Sequence, residues 1–382
     1  MRCLLTAART SVLTAIMALS GATVCAQLPQ NAIPESTDFV IHVSEFLQQA
    51  RVKTGFSGVV VVARKGELVC QGSFGFSHLE PGTRNSLDTP FRIASLSKQF
   101  TAAAILSLEA EGKLSIDDPV HGYLPEFAAE PYREITIHHL LTHTSGLPCI
   151  PEGATKRAQW KAMSVAATPV NDYVKLACEM PLKFKPGQGY VYSNFGYRVL
   201  SAIITKITGQ EYADFMDERL FKPLGLKQAG VARISQQDEV KVAEELRFTG
   251  LDRDTDEPRY ASSKSDRNYG AGYGSGGIYV SANDLLRWDR VLASDSFLSA
   301  KQKDKLFQPV REHYACGWIV KKSDLDGRLY HTHTGANEGY FSKMMRIPED
   351  DLVIIALGNV STTQEIDKVL DQLFRLCRSL PN

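Results

Sequence analysis

Ser95 and Lys98 stand three residues apart in "RIASLSKQFTAAAILSLEAEGKL" (92–114), an alanine-rich stretch that reads as a helix from Ser95 to Glu111 and stops at Gly112. On such a helix the two side chains lie about 4.5 Å apart along the axis and about 60° around it, so both address one cleft. A serine hydroxyl is a weak nucleophile until a neighbouring base takes its proton. In a first helical turn it also sets a substrate carbonyl near free backbone N–H groups and the positive end of the dipole, which suits a developing oxyanion. Lysine acts as a base only when neutral. Its pKa near 10.4 must fall by ~3 units, about 4 kcal/mol of differential interaction, through burial or with help from a second proton carrier. Taken alone, S-x-x-K is frequent, and an ordinary helix start explains it more often than chemistry does, so it needs partners.

Two further clusters have the residue types needed. In "LKFKPGQGYVYSNFGYRVL" (182–200), Tyr192 and Asn194 follow the Pro186-Gly187 turn and precede a helix starting near Phe195. A phenol there can relay the serine proton, and the Asn194 amide can hold a substrate carbonyl or the lysine. A packed tyrosine beside an N-capping Asn194 accounts for the same residues without chemistry. In "YHTHTGANEGYFS" (330–342), His333, Thr334 and Gly335 end a strand, where small residues let a substrate backbone lie along the edge. His331 and His333 share one strand face, which opens a metal reading. No third ligand is identifiable, and His139 and His143 lack the glutamate of a zincin helix, so neither metal nor cofactor is expected.

The elements that must carry these residues are legible around them. "FSGVVVVARKGELVCQGSFGFSH" (56–78) reads as a hairpin turning at Lys65-Gly66. "RLYHTH", "YFSKMMRI" and "DLVIIALGN" are three more strands, followed by an amphipathic segment, "TQEIDKVLDQLFRLCRSL". The short connections favour antiparallel pairing. Between the two strand-rich ends lie helical patterns such as "FGYRVLSAIITKIT", ending at Gly209, and "EYADFMDERLF", stopping before Pro223. The expected organisation is α/β (α+β). Residues 27–130 and 276–382 form one mixed domain with an antiparallel sheet, residues 131–275 form a mostly helical insert, and the active site lies between them. The polar stretch 249–270 reads as a long loop on the insert.

Arg2, Arg9, the apolar run Val12–Ala22 and the small-residue signal Val24-Cys25-Ala26 read as a secretory leader cleaved near Ala26. The bulky Val24 argues against lipidation at Cys25. The leader's core is too short for a stable membrane span, and no other run approaches that length. Removing 26 of 382 residues leaves 356, enough to bury a large core without staples. The 43 basic and 43 acidic residues give no electrostatic case for nucleic acid or an anionic membrane. Cys70, Cys149, Cys178, Cys316 and Cys377 are scattered and odd in number, which speaks against a disulfide framework or structural zinc. The glycine-rich "NYGAGYGSGGIYV" (268–280) follows no clear strand and has no acidic partner in a βαβ unit, so it reads as a wall or turn at the cleft rim rather than a nucleotide site.

In order and interval, Ser95-x-x-Lys98, Tyr192-x-Asn194 and His333-Thr334-Gly335 resemble the three motifs of serine β-lactamases and penicillin-recognising enzymes. The resemblance is closest to the class C β-lactamase branch with its DD-peptidase and esterase relatives. "ITIHHLLTHTSGLP" (135–148), "FKPLGLKQAG" and "GGIYVSANDLLRW" strengthen it, and it runs from about residue 42 to 375. It implies a β-lactamase/transpeptidase-like fold and acylation at Ser95, with Lys98 and Tyr192 as a coupled proton-handling pair. It further implies that Asn194 orients the acyl side chain, that His333, Thr334 and Gly335 line the site near a substrate carboxylate, and that the N–H groups of Ser95 and Ala336 form the oxyanion hole.

Histidine stands at 333 where most β-lactamases of this family carry lysine. A histidine is mostly neutral at pH 7 unless its neighbours raise its pKa. The His333-Thr334-Gly335 version resembles that of Streptomyces-type DD-carboxypeptidases, D-amino-acid peptidases and related serine hydrolases, which weakens a β-lactamase reading. No class A deacylation motif and no G-x-S-x-G elbow is present. The expected activity is an exported serine hydrolase of D-Ala-D-Ala-type peptides or esters. The alternatives are a true β-lactamase and a non-catalytic penicillin- or peptide-binding sensor of the same fold. The expected partner is a small-molecule or peptide substrate, and the oligomeric state is left open.

Overall fold

The computed structural model describes residues 37–166, 168–233, 242–263, 272–337, 339–360 and 363–378. The leader expected at 1–26 lies outside the described residues. Helix α1 (Thr37–Thr54) leads into a hairpin of β1 (Gly58–Arg64) and β2 (Glu67–Phe74). Its turn residues Lys65 and Gly66 have φ of 53° and 81°. Two left-handed residues in succession give the turn whose twist matches the flanking strands, and glycine takes the second position without strain. The chain continues through β3 (Phe91–Arg92) and a 3₁₀ turn, Ala94–Ser97, into α2 (Lys98–Ala110). Helices α3 (Ile137–Leu141), α4 (Ala154–Val165), α5 (Val170–Ala177), α6 (Asn194–Thr208) and α7 (Tyr212–Met216) make up the middle. Strand β4 (Gly230–Val231), the pair β5 (Leu246–Leu251) and β6 (Pro258–Ser262), and β7 (Ile278–Val280) follow. The chain closes with α8 (Ala282–Ala293), α9 (Ala300–Phe307), β8 (Ile319–Lys322), β9 (Leu329–Asn337), β10 (Tyr340–Ile347), β11 (Leu352–Gly358) and α10 (Thr363–Arg378).

The two ends of the sequence share one antiparallel sheet in the order β8-β9-β10-β11-β1-β2. Gly58 pairs with Gly358 and Arg64 with Leu352, so the first hairpin zips onto the last strand along its whole length. Strand β1 is buried throughout because each face has its own cover. Val59, Val61, Ile355 and Leu357 face the main core with Phe100 of α2 and Trp288 of α8. Val60, Val62, Ile354 and Ala356 face Val43 and Leu47 of α1 and Leu370 and Leu373 of α10. Burial on both faces explains why "GVVVVA" and "LVIIAL" show no polar alternation. Each buried valine, leucine or isoleucine among them contributes about 1.5–3 kcal/mol. This is the β-lactamase/transpeptidase-like architecture expected from the sequence, an antiparallel sheet flanked by helices.

Three local expectations are corrected. Ser95 lies in the 3₁₀ turn before α2, and the α-helix proper begins at Lys98. Helix α6 is capped by Ser193, whose Oγ accepts the Gly196 N–H at 3.2 Å, not by Asn194. Asn194 is instead the first helical residue, so its amide is free for other bonds. The stretch expected as one long loop contains the β5–β6 hairpin. At the tip, the Asp252 carboxylate accepts the N–H groups of Asp254 and Thr255 and the Thr255 hydroxyl, and the Asp252 N–H donates to Glu257 O (2.8 Å). Residues 264–271 of the same stretch lie outside the described residues.

Candidate active site

The turn that bears Ser95 is fastened on both sides. Ala94, just before it, has φ 46°, a left-handed conformation costing about 1–2 kcal/mol for a non-glycine residue. Neighbouring contacts hold it there. Ile93 donates its N–H to Ile278 O of β7 (3.1 Å), and its carbonyl accepts the Ser342 hydroxyl of β10 (2.6 Å). The Ile278 N–H in turn donates to Ser97 Oγ (3.2 Å). Strand β9 crosses this turn so closely that a Cβ at position 335 would stand 2.0 Å from Ile93 O, so only glycine fits there. Further along α2, Thr101 Oγ1 donates to Gly274 O (2.7 Å), and Trp288 Nε1–H donates to Gln99 Oε1 (2.8 Å).

Lys98 is fully buried. Its Nζ lies 3.2 Å from Ser95 Oγ, 2.9 Å from Asn194 Oδ1 and 2.8 Å from Ser275 O. Burial pulls its pKa down to about 7. Arg198 adds to this, and the neighbouring Cys149 opposes it. The identities of the partners then fix the direction of the hydrogen bonds. An amide oxygen and a backbone carbonyl can only accept, so a neutral Lys98 gives its two hydrogens to Asn194 and Ser275. Its lone pair is left for the one partner that can donate, the Ser95 hydroxyl. That is the arrangement of a base poised on its nucleophile.

Asn194 donates its Nδ2 to Cys149 Sγ at 3.6 Å. The Tyr192 ring packs over Lys98 with Nζ 4.8 Å from its centroid. Its hydroxyl has no hydrogen-bond partner among the described residues. Burial pushes the phenol's pKa up, and the nearby Ser95 hydroxyl offsets part of that rise. Tyr192 is therefore neutral and protonated at physiological pH.

His333 forms one wall. Its Nδ1 sits 2.8 Å from Thr334 O and its Nε2 3.1 Å from the Tyr314 hydroxyl. A carbonyl only accepts, so Nδ1 carries the proton and Nε2 accepts from Tyr314. Burial, with Lys98 adding to it, drops the imidazole's pKa to about 3. His333 is thus neutral with both nitrogens engaged. His331 belongs to different surroundings: it stacks on Phe307 with ring centroids 4.1 Å apart.

The structure therefore joins Ser95, Lys98 and Asn194 by direct hydrogen bonds, lays Tyr192 against them and sets His333 beyond Tyr192, the ring centroids of those two 6.3 Å apart. Thr334, Gly335 and Ala336 follow on the same strand, Gly335 buried and Ala336 exposed. Sequence reading missed Ser275, Cys149, Tyr314 and His143 as neighbours of this cluster. Ser275 had a signal, since the glycine-rich stretch around it was read as a rim of the cleft. Cys149 and Tyr314 had none.

A buried lysine poised on a serine at a sheet edge, with a neutral tyrosine over the amine, places the chain among the serine hydrolases of the β-lactamase/transpeptidase-like fold. Comparison with known proteins makes the assignment specific: the Beta-lactamase family model matches residues 43–375, and the chain belongs to that family. It is 31% identical over 345 residues to Penicillin-binding protein 4* of Bacillus subtilis (strain 168), covering 86% of this chain and 74% of that one. It is 32% identical over 276 residues to Esterase EstB of Burkholderia gladioli, covering 66% of this chain and 70% of that one. Among solved structures, the octameric penicillin-binding protein homologue from Pyrococcus abyssi superposes with a TM-score of 0.72 at 24% identity, over 90% of this chain and 78% of that one. No helix among the described residues is long and apolar enough to cross a membrane.

Proposed function

We propose that the protein is an exported serine hydrolase that forms an acyl-enzyme on Ser95 and acts on esters or D-amino-acid peptides and amides. The observation that carries this reading is the bonding of Lys98, whose two acceptor partners and lowered pKa leave its lone pair facing the Ser95 hydroxyl. As Oγ attacks the substrate carbonyl carbon, Lys98 takes the hydroxyl proton. The oxyanion of the tetrahedral intermediate faces the N–H groups of Ser95 and Ala336. Its collapse breaks the ester or amide bond, and the Lys98–Tyr192 pair returns a proton to the departing alcohol or amine. Water then attacks the acyl-enzyme by the reverse proton path, releasing the acid and restoring Ser95. Asn194 orients the acyl side chain, and the edge of β9 at His333, Thr334 and Gly335 seats the leaving-group side. Residues 131–275 form the insert, and the leader is removed near Ala26.

His333 bears on the choice of substrate. A neutral imidazole with both nitrogens committed supplies no fixed cation for a carboxylate. This favours substrates with an uncharged leaving group over β-lactams, and the similarity to an esterase supports the same preference. The test is to label the purified protein with a fluorophosphonate and to compare kcat/KM for a nitrophenyl ester, a D-Ala-D-Ala peptide and a chromogenic cephalosporin. Labelling that Ser95→Ala abolishes, with the ester turned over best, is expected. A protein that takes up no probe and hydrolyses none of the three would refute the acyl-enzyme. Stoichiometric acylation by the ester or the cephalosporin without release of the acid product would favour a sensor.

A further inference from the structure

The "LTHTSG" stretch (141–146) carries a buried histidine that the proposed chemistry does not use. His143 follows α3 with φ 60°, a left-handed conformation that a non-glycine residue keeps only where its surroundings over-determine it. Those surroundings are the tyrosine segment of the active site. The His143 carbonyl accepts the N–H of Val191 (3.1 Å), and its ring Nδ1 accepts the N–H of Ser193 (3.1 Å). One residue therefore holds the backbone immediately before and immediately after Tyr192. Two bonds from the same segment extend the grip: Gly187 N–H donates to Thr144 O (2.8 Å), and Ser193 Oγ donates to Pro148 O (3.0 Å).

The side chain also supports the phenol. The His143 ring lies 4.3 Å from the Tyr192 ring and 4.4 Å from that of Tyr314, between centroids, with Tyr197 at 5.3 Å. Tyr314 is the residue that donates to His333. His143 thus fills the space between the second and third motifs. A backbone N–H can only donate, so Nδ1 is the acceptor and the proton sits on Nε2. That N–H has no partner among the described residues. Burial, together with Lys98 and His333, keeps the ring neutral. A ring that is strained in backbone, uncharged and short of one hydrogen bond is poorly explained by stability alone, since a buried unmade bond disfavours folding by about 1–3 kcal/mol.

We infer that His143 is a positioning residue for the reaction, fixing the Tyr192 phenol over Lys98 by bracketing its backbone and bracing its ring. The inference rests on the reading of Tyr192 as a proton carrier. His143 acts through Tyr192, so its removal should lower turnover rather than binding.

The test is a cycle of His143→Leu, Tyr192→Phe and their double variant, with His143→Asn alongside and kcat, KM and Tm measured on a nitrophenyl ester. Asparagine tolerates the left-handed backbone and returns an acceptor near the place of Nδ1. His143→Leu is expected to lower kcat roughly 30- to 300-fold with KM within about threefold, while His143→Asn recovers at least about tenfold of the loss. The double variant should be no worse than Tyr192→Phe alone, because the two residues act as one unit. Losses that multiply in the double variant, or a His143→Asn as impaired as His143→Leu at equal Tm, would overturn the inference while leaving Tyr192 in its role. A Tyr192→Phe variant of full activity would overturn both. If His143→Leu does not fold, the comparison of His143→Asn with wild type decides: a kcat within about thirtyfold and an unchanged KM supports the bracket, and a greater loss refutes it.

Discussion

Replacing Asn194 with aspartate changes almost nothing in shape and places a negative charge where Oδ1 now accepts from Lys98. The distance between them is 2.9 Å. At an effective dielectric of about 20, a unit charge at that separation stabilises the ammonium by roughly 6 kcal/mol, or about 4 pKa units. Asn194 is only half-buried, so solvent screening reduces this, and about 2–3 units is the working figure. The Lys98 pKa, about 7 in the native site, would then return to about 9–10. At pH 7 roughly half of the wild-type lysines are neutral, against one in a hundred to one in a thousand in the variant. Acylation at pH 7 should fall about 50- to 500-fold.

The assay is the second-order rate of fluorophosphonate labelling from pH 5.5 to 10. In the wild type the rate should rise tenfold per unit below the inflection and flatten above about pH 7. In Asn194→Asp the whole profile should move to higher pH, with much of the rate restored at the alkaline end. This shift separates loss of base from loss of acyl orientation, because a merely misplaced substrate lowers the rate equally at every pH. An inflection that stays near 7 while the rate drops uniformly would mean that Lys98 is not the group whose deprotonation activates Ser95.

Two further outcomes follow from the same electrostatics. The depressed pKa of Lys98, about 7 against 10.5, means that the unfolded chain binds the extra proton between those values. Its contribution to stability is therefore present above about pH 10.5 and lost as pH falls through about 7, an effect of about 5 kcal/mol at most. Lys98→Met should consequently raise Tm at pH 7 and raise it less at pH 9.5, while abolishing labelling. A Tm gain that is independent of pH would contradict the assigned shift. For His333→Lys, the cation now lacking at the leaving-group wall is supplied, so the ratio of kcat/KM for a D-Ala-D-Ala peptide to that for a neutral ester should rise about tenfold or more. The same change removes the acceptor for the Tyr314 hydroxyl and buries a charge, so a lower Tm should accompany it. An unchanged ratio would show that His333 does not set leaving-group preference.

How far the sequence revealed this molecule depended on the kind of atom involved. The β1–β2 hairpin was legible because Lys65-Gly66 is a turn with a mechanism and the flanking runs are β-branched. Helix α6 was legible because its apolar period ends at a glycine with φ 69°. The β5–β6 hairpin was not, because its turn is held in part by a side chain, Asp252, and its last turn residue, Glu257, is tied by an ion pair to Arg51, 206 positions away. The ion pair has no local pattern. The site divides the same way. Ser95, Lys98, Tyr192, Asn194 and His333 announce themselves by type and order. Yet S-x-x-K does not say whether its lysine is a base. That depends on where the other two Nζ hydrogens go. One goes to Asn194, a residue with a signature. The other goes to the backbone carbonyl of Ser275, which any residue could have supplied. His143 shows the converse, since a histidine near other histidines invites a metal reading, whereas the ring's use of Nδ1 as an acceptor for Ser193 N–H directs it to holding a loop. The types of side chains limited which reactions were possible, but the backbone groups that they meet decide which of them is an acceptor, a donor or a base.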